Sequence, residues 1–202
     1  MSEAMTSPLQ HRDEPEGLAV VLREIEGRGM IDLRGIASDE SFGAAAKDVL
    51  GFDLPIVPRT SVSWGDVQAL WLAPDQWLIL CPGARLAELL SALRNALEGI
   101  HSFAVDVSDM RAILRIEGDA ARGVLLKGCS LDLLGSDYGV GTVRRVRFAE
   151  IAALLHVVSE NPDTIDLYVF RSYADYAWDW FLANARKEVT VSLFGAQDTP
   201  PV

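Results

Sequence analysis

One succession of elements can be read twice along this chain, and that repetition limits the available folds more than any single motif. Leu33-Arg34-Gly35 closes a strand that precedes a helix, and Ile116-Glu117-Gly118 does the same. Phe52-Asp53-Leu54 follows the first helix; Leu131-Asp132-Leu133 follows the second. Hairpins turn at Trp64-Gly65-Asp66-Val67 and at Phe148-Ala149-Glu150-Ile151. Leu78-Ile79-Leu80 and Tyr168-Val169-Phe170 each lead towards a long helix. The offsets are roughly 80 to 90 residues. Identity between the passes is weak, so the reading rests on order and periodicity. It predicts an internally duplicated β-α-β-β-β-α-like unit. Each half of this α+β protein would set helices on one face of an antiparallel sheet. The halves should pack together, because neither is large alone.

The elements follow from pattern. Strands are predicted over Leu18 to Glu26, Met30 to Arg34, Val62 to Trp64, Val67 to Leu72 and Trp77 to Cys81, then over Ser102 to Val107, Arg111 to Glu117, Val143 to Phe148, Ile151 to Val158 and Thr164 to Phe170. Helices are predicted over Asp39 to Leu50, closed by Gly51, over Leu86 to Leu97, and over Asp119 to Lys127, closed by Gly128. A last helix spans Ser172 to Lys187, where Ser172 and Asp175 fit a capping box. Residues 1–16 and 196–202 read as disordered tails, 17–99 as the first half and 100–195 as the second.

The 202 residues carry a net charge of −11. A chain this acidic repels phosphate backbones, which argues against nucleic acid as a partner. Arg144, Arg145 and Arg147 read as the polar face of a strand. Cys81 and Cys129 lack CxxC spacing, and with His11, His101 and His156 they make no four-ligand zinc pattern. Reduced, packed thiols fit a cytoplasmic compartment. Residues 1–15 read as neither a signal peptide nor a membrane anchor. No apolar run reaches the ~18 residues of a membrane-spanning helix, so no membrane partner is expected.

No catalytic residue is expected. There is no G-x-S-x-G elbow and no phosphate-cradling G-x-x-x-x-G-K loop, and the G-x-G triplets at 27–29 and 139–141 read as turns. Asp106-Val107-Ser108-Asp109 is the most informative acidic stretch. Asp106 could accept hydrogen bonds from a bound heterocycle, or the segment could be a strand-ending turn that satisfies its own N–H groups. His156 sits in an apolar strand and reads as a satisfied core or edge residue. Trp64, Trp71 and Trp77 read as core. On the last helix, Tyr173, Tyr176, Ala177 and Trp180 form the expected core stripe. Trp178 and Leu182 then fall on another face, which is either buried within the chain or docked on a partner.

Several segments resemble the sarcosine oxidase gamma-subunit family. They are Leu72-Ala-Pro-Asp-Gln-Trp-Leu-Ile79, Val105-Asp-Val-Ser-Asp-Met-Arg-Ala112, Arg115-Ile-Glu-Gly-Asp-Ala-Ala-Arg122 and, most specifically, Phe170-Arg-Ser-Tyr-Ala-Asp-Tyr-Ala-Trp-Asp-Trp-Phe181. The resemblance runs from about Leu18 to Arg186. Asp106-Val-Ser108 and Gly118-Asp-Ala120 are also similar to elements of the folate-binding aminomethyltransferases, such as the glycine-cleavage T-protein. The resemblance implies tandem ferredoxin-like halves in the folate-binding domain fold of those transferases. The transferases are longer, and their folate-holding acidic motif has no match here. The resemblance therefore implies a non-catalytic structural subunit of a heterotetrameric sarcosine oxidase. Its partners would be alpha, beta and delta subunits, and FAD, FMN, NAD and tetrahydrofolate would belong to those chains. A stand-alone folate-binding or one-carbon protein, with Asp106 near the ligand, is the alternative.

Overall fold

The central strands carry apolar side chains on both faces, so each sheet needs cover on two sides. A computed structural model provides the arrangement and describes residues 6–13 and 15–189, the side chain of Val189 excepted. The predicted tail at 196–202 lies outside the described residues. In chain order the elements are β1 (Val21–Glu24), β2 (Arg28–Gly35), α1 (Glu40–Leu50), β3 (Ser61–Trp64), β4 (Val67–Ala73), β5 (Gln76–Pro82) and α2 (Leu86–Ala96). They continue with β6 (Ser102–Asp106), β7 (Arg111–Glu117), α3 (Ala121–Leu126), β8 (Val143–Phe148), β9 (Ile151–Glu160), β10 (Asp163–Phe170) and α4 (Ala174–Asn184).

Two five-stranded antiparallel sheets result, ordered β3-β4-β5-β2-β6 and β8-β9-β10-β7-β1. Alternation along β5 explains the layering. Trp77, Ile79 and Cys81 pack with Phe42 and Ala46 of α1 and with Leu89 and Leu93 of α2. Leu78 and Leu80 point the other way and meet Ile113, Leu154 and Tyr168 of the second sheet. On the far side, Ile165, Leu167 and Val169 of β10 pack with Val124, Leu125, Ala177 and Phe181 of α3 and α4. The order is helices, sheet, sheet, helices. Each fully buried Leu or Ile in the middle layer contributes about 1.5–3 kcal/mol of transfer free energy.

A division at residue 99 does not separate the sheets. β1 pairs with β7 in the second sheet, and β6 pairs with β2 in the first. Each sheet thus takes an edge strand from the other stretch of chain. Hydrophobic alternation fixes which face of a strand is buried but leaves its neighbour open.

Local chemistry accounts for the element ends. Asp39 accepts from the Ser41 and Phe42 amides and caps α1, while Gly51, at φ 83°, closes it in the left-handed region. Gly35 serves close approach: a Cβ there would lie 2.3 Å from the Phe42 ring. Its counterpart Gly118 instead adopts φ +121°.

Two helix starts differ from expectation. α3 begins at Ala121 with no side-chain cap, so Asp119 does not cap it. Ser172 lies in a 3₁₀ turn (Arg171–Tyr173), and α4 also has no side-chain cap. Asp175 instead holds Arg12 and His11. That contact belongs to a segment expected to be an unstructured tail. Leu9 is 4% exposed, and Arg12 also bridges to Asp179.

The stripe of α4 also differs. Ala174, Ala177, Trp178, Phe181 and Ala185 face the sheet, whereas Tyr173 and Tyr176 are exposed. Trp178 is 5% exposed, and Leu182 packs partly buried against the same core, so this chain itself takes up the face proposed for docking. The alanines allow the helix to approach β10 closely. Tyr173 and Tyr176, at 43% and 40% exposure, lie on the side away from that contact.

Candidate functional site

Asp106 ends β6 and turns its carboxylate onto its own segment. Its Oδ1 accepts from the Ser108 amide at 2.9 Å and from the Ser108 hydroxyl at 2.6 Å. The Ser108 hydroxyl in turn accepts from the Met30 amide at 2.9 Å, and the Val107 amide donates to the Met30 carbonyl at 2.8 Å. The Asp-Val-Ser element is therefore a clamp that fastens the crossing strand β6 to the start of β2. This geometry is that of a self-satisfying turn.

A buried polar group lies between the sheets where the sequence suggested no connection. His156 on β9 is 2% exposed and opposite Asp166 on β10. The Ser61 hydroxyl donates to the Gly141 carbonyl at 3.0 Å, which leaves its oxygen to accept from Nε2 of His156 at 3.0 Å. Both Asp166 oxygens are held by Arg115, at 2.7 and 2.8 Å. Nδ1 of His156 has no partner. Burial is the main cause that lowers the His156 pKa, to about 4; the Asp166 charge opposes this and Arg115 adds to it.

Serine, histidine and aspartate are all present here, but not as a nucleophilic triad. With the Ser61 hydroxyl donating to the Gly141 carbonyl, Nε2 is left as donor to the serine rather than as the base that takes its proton. The carboxylate that would orient the ring is committed to Arg115. The arrangement ties β3 of one sheet to β9 of the other. The residues come from positions 61, 115, 156 and 166, so only the strand register could have connected them.

Burial raises the pKa of both free thiols, Cys81 and Cys129, which opposes reactivity. Among the described residues no cluster of three His, Cys, Asp or Glu side chains could hold a metal, and no helix is long and apolar enough to cross a membrane. Trp77 is fully buried and Trp71 packs against the first core, as expected of them. Trp64 departs from that expectation at 69% exposure. It shares the stretch from 56 to 64 with exposed Ile56, Val57 and Val62. Edge strand β3 and the segment before it therefore carry an apolar surface that no other described part of the chain covers.

The sequence matches the model of the sarcosine oxidase, gamma subunit family over residues 34–188. A sarcosine oxidase subunit gamma from Corynebacterium sp. (strain P-1) is 35% identical over 147 residues, which is 70% of this chain and 69% of that protein. Its counterpart from Arthrobacter sp. is 35% identical over 145 residues, 71% of this chain and 70% of that one. A chain of heterotetrameric sarcosine oxidase from Corynebacterium sp. U-96, solved in complex with pyrrole 2-carboxylate, superposes with a TM-score of 0.81 and 25% identity, covering 94% of this chain and 98% of that chain. Glycine cleavage system aminomethyltransferase T from Bartonella henselae superposes with a TM-score of 0.65 at 12% identity, over 91% of this chain and 58% of its own, a likeness of fold. With a family match spanning most of its length and relatives at this identity, the chain belongs to the sarcosine oxidase gamma subunit family.

Proposed function

We propose that this chain is the structural gamma subunit of a heterotetrameric sarcosine oxidase and contributes no catalytic residue. The observation that carries the reading is the superposition on a chain of such an oxidase over nearly the full length of both. In this reading the partners are alpha, beta and delta subunits. FAD, FMN, NAD and tetrahydrofolate reside on those chains. The assembly oxidatively demethylates sarcosine to glycine and passes the one-carbon unit to tetrahydrofolate, in the cytoplasm. The element order β-β-α-β-β-β-α, present twice, supports an origin in tandem ferredoxin-like halves of the aminomethyltransferase folate-binding fold.

The uncovered apolar residues Ile56, Val57, Val62 and Trp64 support a subunit role, because a partner would remove them from water. An obligate contact would bury roughly 2,000 Å² or more in total. The folate-binding alternative has the fold likeness in its favour, but Asp106 already spends Oδ1 on Ser108. The reading is tested by purifying the chain from its native cell and scanning the eluate for flavin absorbance. Flavin-bearing partners in fixed ratio are expected. A reduced folate that binds the isolated chain tightly, and is lost in Asp106→Ala with the fold intact, would favour the alternative.

A further inference from the structure

Four of the chain's basic side chains line one cleft of about 530 Å³ at an open end of the two sheets. Arg34 comes from β2, Arg111 from the start of β7, and Arg145 and Arg147 from β8. Leu72, Val146 and Phe170 supply apolar wall. The volume lies within the range of small-molecule sites.

These guanidiniums are poorly matched by the protein's own carboxylates. Arg111 lies over the Phe170 ring at 4.6 Å, and its buried Nε has no hydrogen-bond partner. Among the described residues it forms no ion pair. Burial, reinforced by the neighbouring Arg145 charge, lowers its pKa, with Asp32 opposing. Among the described residues Arg145 donates only to the neutral Gln76 amide oxygen, at 3.0 Å. Arg34 reaches Asp32 at a long 3.4 Å, and the same carboxylate is shared with Gln76 at 2.9 Å. Arg147 pairs with Glu150 at the rim. Among the described residues two carboxylates, Asp32 and Glu150, therefore face four arginines, in a chain whose overall charge is −11. An unpaired, partly desolvated guanidinium is costly, and a bound carboxylate or phosphate offsets that cost through charge-assisted fork bonds.

We propose that the cleft between Arg34, Arg111 and Arg145 is a binding site for a small organic anion, with its acidic group on the arginines and its apolar body against Phe170 and Leu72. The cleft continues past Ala152 and Phe170 onto a shallow shelf that includes Met110 and Tyr173, which leaves room for a body longer than the acidic head. All four arginines belong to this chain, so the site can be tested apart from the proposed assembly.

The test is calorimetric titration of the full chain at low ionic strength with citrate, succinate and inorganic phosphate as probes. At least one should bind with an affinity that falls as salt is added. Arg145→Gln, at an exposed position that does not threaten the fold, should weaken it about tenfold or more, and Arg111→Lys, which keeps the charge but loses the fork, should also weaken it. Arg85→Gln, which removes a surface partner of Asp66, should leave binding unchanged. The proposal is overturned if none of the probes binds up to about 10 mM, or if Arg85→Gln weakens binding as much as Arg145→Gln. It is also overturned if the free chain is inert while Arg145→Glu abolishes co-purification of other subunits, because the cleft would then serve an acidic segment of a partner.

Discussion

Replacing Trp178 with alanine separates a core residue from a docking residue. Trp178 is 5% exposed and packs in the core between α4 and the second sheet, with Ala174, Ala177 and Phe181 along the same face. Removing a buried tryptophan side chain costs the transfer free energy of the lost atoms plus the cavity left behind, about 3–5 kcal/mol. The neighbouring alanines are too small to fill that space. With a urea m-value of about 2 kcal/mol/M, the unfolding midpoint should fall by about 1.5–2.5 M. The assay is urea denaturation of Trp178→Ala followed by far-ultraviolet circular dichroism. A midpoint shift below about 0.3 M, together with lost association with other subunits, would refute the assignment and return Trp178 to the surface.

Three further outcomes follow from the interior. Asp166→Asn leaves Arg115 facing a neutral amide between the sheets and should destabilise the fold by about 3 kcal/mol, read from the same urea midpoint. His156 binds a proton less readily folded, at about 4, than unfolded, at 6.5. Its stabilising contribution is complete above pH 6.5 and is lost as pH falls towards 4, roughly 3 kcal/mol over that window; His156→Gln should flatten that part of the stability profile. Gly35→Ala drives a methyl group into the Phe42 ring and should cost about 1–3 kcal/mol, whereas Gly43→Ala, which meets nothing within 4 Å, should be neutral or stabilising in urea melts.

Much of the fold was legible because the signals were local. The capped helix over Asp39–Gly51 and the hairpins at Gly65-Asp66 and Ala149-Glu150 lie close to where pattern placed them. What pattern could not give is partnership between distant segments. The strand at Val21–Glu24 reads as the opening of the first half, yet it pairs with Arg111–Glu117 of the second. Ser172-x-x-Asp175 has the letters of a capping box, but Asp175 is drawn to Arg12 from 163 residues away. On α4, aromatic residues fall on two overlapping stripes. The small residues Ala174 and Ala177, not the tyrosines, mark the side that meets the sheet.

The candidate sites divide the same way. The local turn at Asp106-Val-Ser108 was one of the two outcomes weighed from sequence. The Ser61–His156 contact and the arginine cleft draw on residues about 80 to 110 positions apart, and only the strand order brings them together. Arg144, Arg145 and Arg147 read together as one polar strand face, but neighbours on a strand point to opposite sides: Arg144 lies over the Tyr138 ring with its Nε buried, while Arg145 and Arg147 line the cleft, and nothing in their own segment says that Arg34 and Arg111 join them there.

The central claim is that this chain works as a subunit of a flavin-bearing oxidase. The most direct measurement is purification of the tagged chain from its native cell, with co-purifying proteins identified by mass and the eluate assayed for flavin absorbance and sarcosine-dependent peroxide. The account predicts larger partners in fixed ratio, a flavin spectrum and peroxide formation that all follow the tagged chain through gel filtration. A folded chain that elutes alone and colourless, while sarcosine oxidase activity from the same cells elutes elsewhere without it, would contradict the account.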